Sequence, residues 1–260
     1  MTMSPLLPRH SLLPDLQHSR AVLVGCGDYA PGSPGSWRPE EMARDLAGAL
    51  TSPDAGMAFD AAHTCVLVNP ERPAEVCDAV RMAAGEASDT LLFYYAGTGS
   101  RHQGFNAAGA AGLDGLEVVA GLLGTSRAER SVVILDGADV YRFKELTPTS
   151  FILAGSSFGS GDQLVPFTPT LVHALWHGVF DGPQLLDLVT LRYAIEASFY
   201  EARYFIEDHW VLGPASLTMR HPHRFRMVAL GINPSFGVTD RAGTGALPRD
   251  EAALHEEYGW

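Results

Sequence analysis

Thr90-Leu91-Leu92-Phe93-Tyr94-Tyr95-Ala96-Gly97-Thr98-Gly99 is the stretch that decides the fold. After Thr90 it runs apolar and aromatic with no polar alternation, the pattern of a strand covered on both faces. It then breaks into small residues, the composition of a tight turn leaving a strand. The same grammar recurs along the chain. Residues 20–26 (RAVLVGC) run into Gly27-Asp28-Tyr29, and 131–136 (SVVILD) run into Gly137-Ala138-Asp139. Residues 64–68 and 150–154 are further apolar runs, and 226–231 (RMVALG) read as a last strand. Between them lie segments with helical spacing: 39–50, with its acids early as a helix dipole favours, 73–87, opened by Pro73 and Glu75, then 113–123, 167–178 and 185–197. Apolar strands alternating with helices predict an α/β three-layer sandwich: a mostly parallel central sheet of about six strands with helices on both faces. Residues 20–236 form that domain, between an amino-terminal extension (1–19) and a polar, turn-rich carboxyl-terminal tail (237–260).

Composition narrows the function. A formal charge of −12 argues against nucleic acid or an anionic membrane as partner, since phosphate recognition needs clustered Lys and Arg. There is no Gly-rich phosphate loop, and no apolar run long enough to span a bilayer. The first twenty residues, interrupted by Pro5, Pro8 and Pro14, do not have the pattern of a signal peptide, so the expected location is the cytoplasm. Cys26, Cys65 and Cys77 are odd in number and widely spaced, with no zinc-ligand spacing, and read as reduced structural thiols. No cofactor or metal is expected.

In an open parallel sheet, functional groups gather just beyond the carboxyl ends of the strands. Here those ends are 25–29, 96–100 and 136–139. A strand running into YYAGTG, followed by a strand running into LDGAD, resembles the layout of caspases and metacaspases. The likeness extends to RAVLVGCGDY, to the continuous run LVNPERPAEVCDAVRMAAGEASDTLLFYYAG, to SFILAGSS, to FTPTLVHALWHGVFDGPQLLDL and to the Asn-Pro pair at Asn233. It therefore covers roughly residues 20 to 236, and the bacterial members resemble it best. The resemblance implies a caspase-like fold and, in an active relative, a His after the first strand that activates a Cys after the second.

This chain departs at both points. Thr98 stands where the family has its His, and a hydroxyl is no base near neutral pH. Ala138 stands where the nucleophilic Cys belongs, and Gly137 precedes it. The segment 101–112, where the family places a substrate-side wall, is short and rich in Ala and Gly. The expectation is a pseudoprotease: a catalytically inactive domain that binds a protein partner, such as a neighbouring-gene product, as adaptor or regulator in a bacterial signalling or defence system. Asp28, Gly97, Asp136 and Asp139 line the rim where such binding would occur. Asp28 also fits a former pocket for basic residues, and Asp136 fits a turn cap. The alternative is a cysteine endopeptidase with a non-standard or altered dyad, for which Cys26 and His102 are the substitute pair.

Two other patterns carry weaker chemistry. His173 and His177 share a helix face at i, i+4, but no further ligand joins them at a zinc spacing, and His209, His221 and His223 read as surface residues. Tyr193, Phe199, Tyr200, Tyr204, Phe205 and Trp210 form a dense aromatic stripe that divides evenly between core packing and a protein interface, including a homodimer.

Overall fold

The computed structural model describes residues 12–27, 38–55, 57–97, 114–136, 150–155, 167–203, 215–218 and 228–237. Its centre is a six-stranded sheet in the order β2-β1-β3-β4-β5-β7. The strands are β1 (Arg20–Cys26), β2 (Thr64–Val68), β3 (Thr90–Gly97), β4 (Arg130–Asp136), β5 (Phe151–Gly155) and β7 (Ala215–Thr218). All neighbouring pairs are parallel except β5–β7, which is antiparallel. A separate antiparallel pair joins β6 (Leu185–Asp187) to β8 (Ala229–Ile232). The helices are α1 (Pro39–Thr51), α2 (Pro73–Glu86), α3 (Asp114–Thr125), α4 (Phe167–His177) and α5 (Leu188–Arg203).

Strand alternation decides which helix covers which face. Ala21, Leu23, Leu92, Tyr94, Ala96, Val132, Ile134 and Leu153 pack into one core with α1, α4 and α5. Val22, Val24, Cys26, Phe93, Tyr95, Val133, Leu135 and Ile152 pack into the other, with α2 and α3. Both faces are thus buried, which is why the strands carry no polar alternation. Helix α1 starts where it does because Pro39 is pre-set for the first turn and Glu40 and Glu41 meet the positive end of the helix dipole. It buries Met42, Ala43, Leu46, Ala47, Ala49 and Leu50, a stripe at helical spacing.

The expected three-layer arrangement is present, with differences at its later strands. The sixth strand of the central sheet is Ala215–Thr218, not the run at 226–231. Of that run, Ala229 onward forms β8, which pairs with β6 outside the central sheet. Residues 185–187, read as the start of a helix, are a short strand; the helix begins at Leu188, where Asp187 Oδ1 accepts the Thr190 N–H at 2.8 Å. A short Leu-Leu-Asp segment followed by helical spacing cannot be divided by periodicity alone, and the pairing partner that makes it a strand lies far along the chain. No described helix is long and apolar enough to cross a membrane.

Candidate functional site

The parallel register brings the carboxyl ends of β1, β3 and β4 side by side. Cys26 is level with Gly97, and Ala96 is level with Asp136. The two strands whose ends are singled out in the sequence are therefore neighbours in the sheet. Thr98, Ala138, Asp28, His102 and Asp139 themselves lie outside the described residues, as do 101–112. The described residues form the strand ends themselves.

The end of β1 is held by close backbone approach. A Cβ on Gly25 would overlap the Pro39 carbonyl at the start of α1, so only glycine lets that helix cross the strand end. A Cβ on Gly27 would come within 2.5 Å of Glu40 Oε2. Asn69 staples the end of β1 to the residue after β2. Its side-chain oxygen accepts the Gly27 N–H at 2.8 Å, and its own N–H donates to the Gly25 carbonyl at 2.9 Å. It does so at φ 45°, a left-handed conformation that Asn tolerates better than most residues. Sequence reasoning passed over Asn69; the available signal was an Asn-Pro step directly after an apolar strand.

At Gly97 a Cβ would lie 2.6 Å from Tyr95 Oη and 3.0 Å from the Cys26 carbonyl. Glycine is required there by space. Cys26 itself is only 3% exposed and its side chain packs in the α2–α3 core. Burial pushes its thiol pKa up to about 12, with the Tyr95 hydroxyl pulling weakly the other way. A thiol so placed is protonated near neutral pH, whereas a nucleophile or metal ligand must be thiolate. Of the substitute pair, then, the one member that is described is a buried thiol facing away from the opposite core that Asp136 enters.

Asp136 is fully buried on the other face, toward α4. Its Oδ2 accepts the Thr168 hydroxyl at 2.6 Å and, more loosely, the Thr168 N–H at 3.3 Å. Tyr94 Oη lies 2.9 Å from Thr168 Oγ1. Because the Thr168 proton goes to Asp136, Tyr94 is the donor in that contact. Burial raises the Tyr94 pKa well above its ordinary value, and Asp136 adds to the rise, which keeps the phenol protonated and donating. Tyr94, Thr168 and Asp136 thus form one directed chain of hydrogen bonds from the middle of β3 to the end of β4. Asp136 does act as a cap, but of the first turn of α4, where a carboxyl group meets free N–H groups and the positive helix end. It is held inside the fold rather than presented at the rim.

The remaining sequence candidates separate. The His173 and His177 rings lie against each other on α4, tilted by 39° with centroids 4.5 Å apart. Among the described residues no group of three or more His, Cys, Asp or Glu comes together as a metal site. His209, His221 and His223 lie outside the described residues. Tyr193 is 62% exposed, with the Arg192 guanidinium 5.8 Å from its ring centre and Arg192 paired to Glu196 at 2.8 Å. Phe199 and Tyr200 belong to α5, but their side chains are outside the described set, and so are Tyr204, Phe205 and Trp210. Asn233, quoted for the Asn-Pro likeness, is a buried clamp. Its side chain accepts from Val179 N at 2.9 Å and donates to the Val179 and Pro183 carbonyls at 2.9 and 3.0 Å.

No family model and no curated protein sequence matches the chain. Among solved structures, that of pro-sf-caspase-1 is similar at a TM-score of 0.50 and 12% identity, over 84% of this chain and 94% of that one. Caspase-1 from Spodoptera frugiperda aligns at a TM-score of 0.49 and 11% identity, over 90% of this chain and 98% of the other. At such identity the first of these likenesses establishes the fold, which is caspase-like, and leaves the chemistry to the residues.

Proposed function

We propose that this chain is a catalytically inactive caspase-like domain that works by binding a protein partner, as an adaptor or regulator in a bacterial signalling or defence system in the cytoplasm. The observation that carries the reading is the pairing of sequence with strand ends. The two strands that end side by side, β3 and β4, are followed in sequence by Thr98 and by Gly137-Ala138, so the His and Cys that the resemblance places at those two positions are replaced by a hydroxyl and a methyl group. The first described thiol near those ends, Cys26, is buried with a raised pKa, which supports a structural role for it. The bacterial setting and the neighbouring-gene partner rest on the sequence resemblance.

A second reading, a cysteine endopeptidase with an altered dyad, is favoured by the caspase-like fold itself. Cysteine-directed peptide probes separate the two. The expected outcome is no covalent labelling at Cys26 and no cleavage of Arg-, Lys- or Asp-terminated peptides. General thiol reagents should modify the exposed Cys65 well before the buried Cys26 and Cys77. Peptide turnover that disappears in Cys26→Ala would overturn the pseudoprotease reading. Thr98→His with Ala138→Cys is expected to leave the protein without efficient cleavage, because a dyad also needs oxyanion donors and a cleft that holds the peptide.

A further inference from the structure

The opposite end of the sheet carries a second cluster of charged groups. Asp89 precedes β3 and Arg130 opens β4, and their side chains are mostly buried, 19% and 11% exposed. Arg130 Nη2 reaches both Asp89 oxygens, at 2.5 and 2.6 Å. Asp89 Oδ2 also accepts the Asp15 N–H at 2.7 Å and the Ser19 hydroxyl at 3.0 Å. Arg130 in turn donates to the Leu12 carbonyl at 3.2 Å and the Leu13 carbonyl at 3.3 Å. One ion pair thus grips residues 12–19 at several points.

We infer that residues 12–19 are a latched strap, a segment seated across the amino ends of β1, β3 and β4 that opens as a unit when the Asp89–Arg130 pair is broken, while the sheet stays folded. The segment contributes little to either core: only Pro14 and Ser19 are buried in it. Its other attachments are polar. The His18 carbonyl accepts from Ser88 N and Asp89 N at 2.9 and 3.1 Å, the Leu16 carbonyl lies 2.9 Å from His63 Nδ1, and Arg20 at the start of β1 donates to the Gln17 and Ser19 carbonyls at 2.9 and 2.8 Å. The strap also has its own internal brace, which travels with it. Asp15 Oδ1 accepts from Gln17 N at 2.9 Å and His18 N at 3.1 Å, and lies 2.9 Å from His18 Nδ1. A segment that buries little, keeps its own turn and is held by polar contacts centred on one ion pair is a local opening unit rather than part of the cooperative core. The consequence is a fold whose amino-terminal approach can be engaged or released without disturbing the strand ends on the far rim.

Native-state hydrogen exchange on the full chain tests this. In the wild type the seam amides of Asp15, Ser88 and Asp89 should exchange through an opening with weaker denaturant dependence than Phe93 and Val133 in the sheet. In Asp89→Asn and Arg130→Met the seam amides should exchange about tenfold faster, the equivalent of one charge-assisted hydrogen bond, with the sheet amides nearly unchanged. Arg130→Lys, which keeps the charge without the fork, should fall between. Seam amides that exchange only with global unfolding in the wild type would overturn the strap. So would variants in which seam and sheet accelerate equally, or in which the seam does not accelerate at all.

Discussion

The two ends of the central sheet hold their polar groups by opposite means. At the amino end, Asp89 and Arg130 meet as charges and recruit backbone from a separate segment. At the carboxyl end, the contacts of β1 are made by absent side chains, Gly25, Gly27 and Gly97, and the acid of β4 is turned inward to Thr168. The first arrangement tolerates movement, because the segment it holds is itself lightly buried and can open alone. The second does not, because close backbone approach and a buried donor chain lock neighbouring elements to one another. A caspase-like fold needs its strand ends fixed if residues on adjacent turns are to act together. In this chain the strand ends are fixed in that way, beside sequence positions occupied by Thr98 and Ala138.

The sharpest way to break this contrast is Gly25→Ala. The added methyl meets the Pro39 carbonyl, which is backbone and cannot swing away. Urea unfolding should show a loss of at least about 3 kcal/mol, at the upper end of overpacking costs, or no accumulation of folded protein. A loss under about 1 kcal/mol would mean that α1 can lift off the strand end and that the carboxyl end is not locked.

The donor chain should respond in graded steps. Asp136→Ala removes the buried charged acceptor of the Thr168 hydroxyl, for an expected loss of about 2 kcal/mol, while Tyr94→Phe removes only the first donor and should cost about 1 kcal/mol. The double variant should cost less than the sum, because both act on Thr168. Strict additivity would show that Tyr94 and Asp136 are not members of one network.

The smallest effect is confined to acid. Burial works to raise the Asp89 pKa, but the Asp15 N–H and the Arg130 guanidinium outweigh it and hold the pKa below its ordinary 3.8. A carboxyl group depressed on folding contributes stability that is fully present above its unfolded value and is lost as pH falls through the folded value. The stability difference between wild type and Asp89→Asn should therefore be constant above the ordinary value and shrink below it. Asp15, held low chiefly by His18, titrates in the same region, so the comparison must be made against Asp89→Asn rather than read from the wild type alone. A difference that grows in acid would show that Asp89 is destabilised by folding.

Sequence alone determined the layered α/β plan, because a strand buried on both faces has to be apolar throughout and a covering helix has to repeat its apolar residues at helical spacing. The runs at β1, β3, β4 and β5 and the helices α1 to α4 were legible for that reason, and the part-buried edge strand β2 was legible from its apolar run alone. So were the carboxyl ends of β3 and β4, since small residues follow each apolar run in the sequence. Tertiary structure alone decided the rest. Nothing near Ala215–Thr218 marks it as the sixth strand, because its partner β5 is distant in the chain and an edge strand needs no buried pattern on both sides. Asp136 looked like a local turn cap, yet its partner is Thr168 on another element. Asp89 and Arg130 gave no signal at all, since an ion pair between residues far apart in sequence exists only once parallel strands bring their first residues together. Local periodicity is written in neighbouring residues. Long-range polar pairing is written only in the register of the sheet.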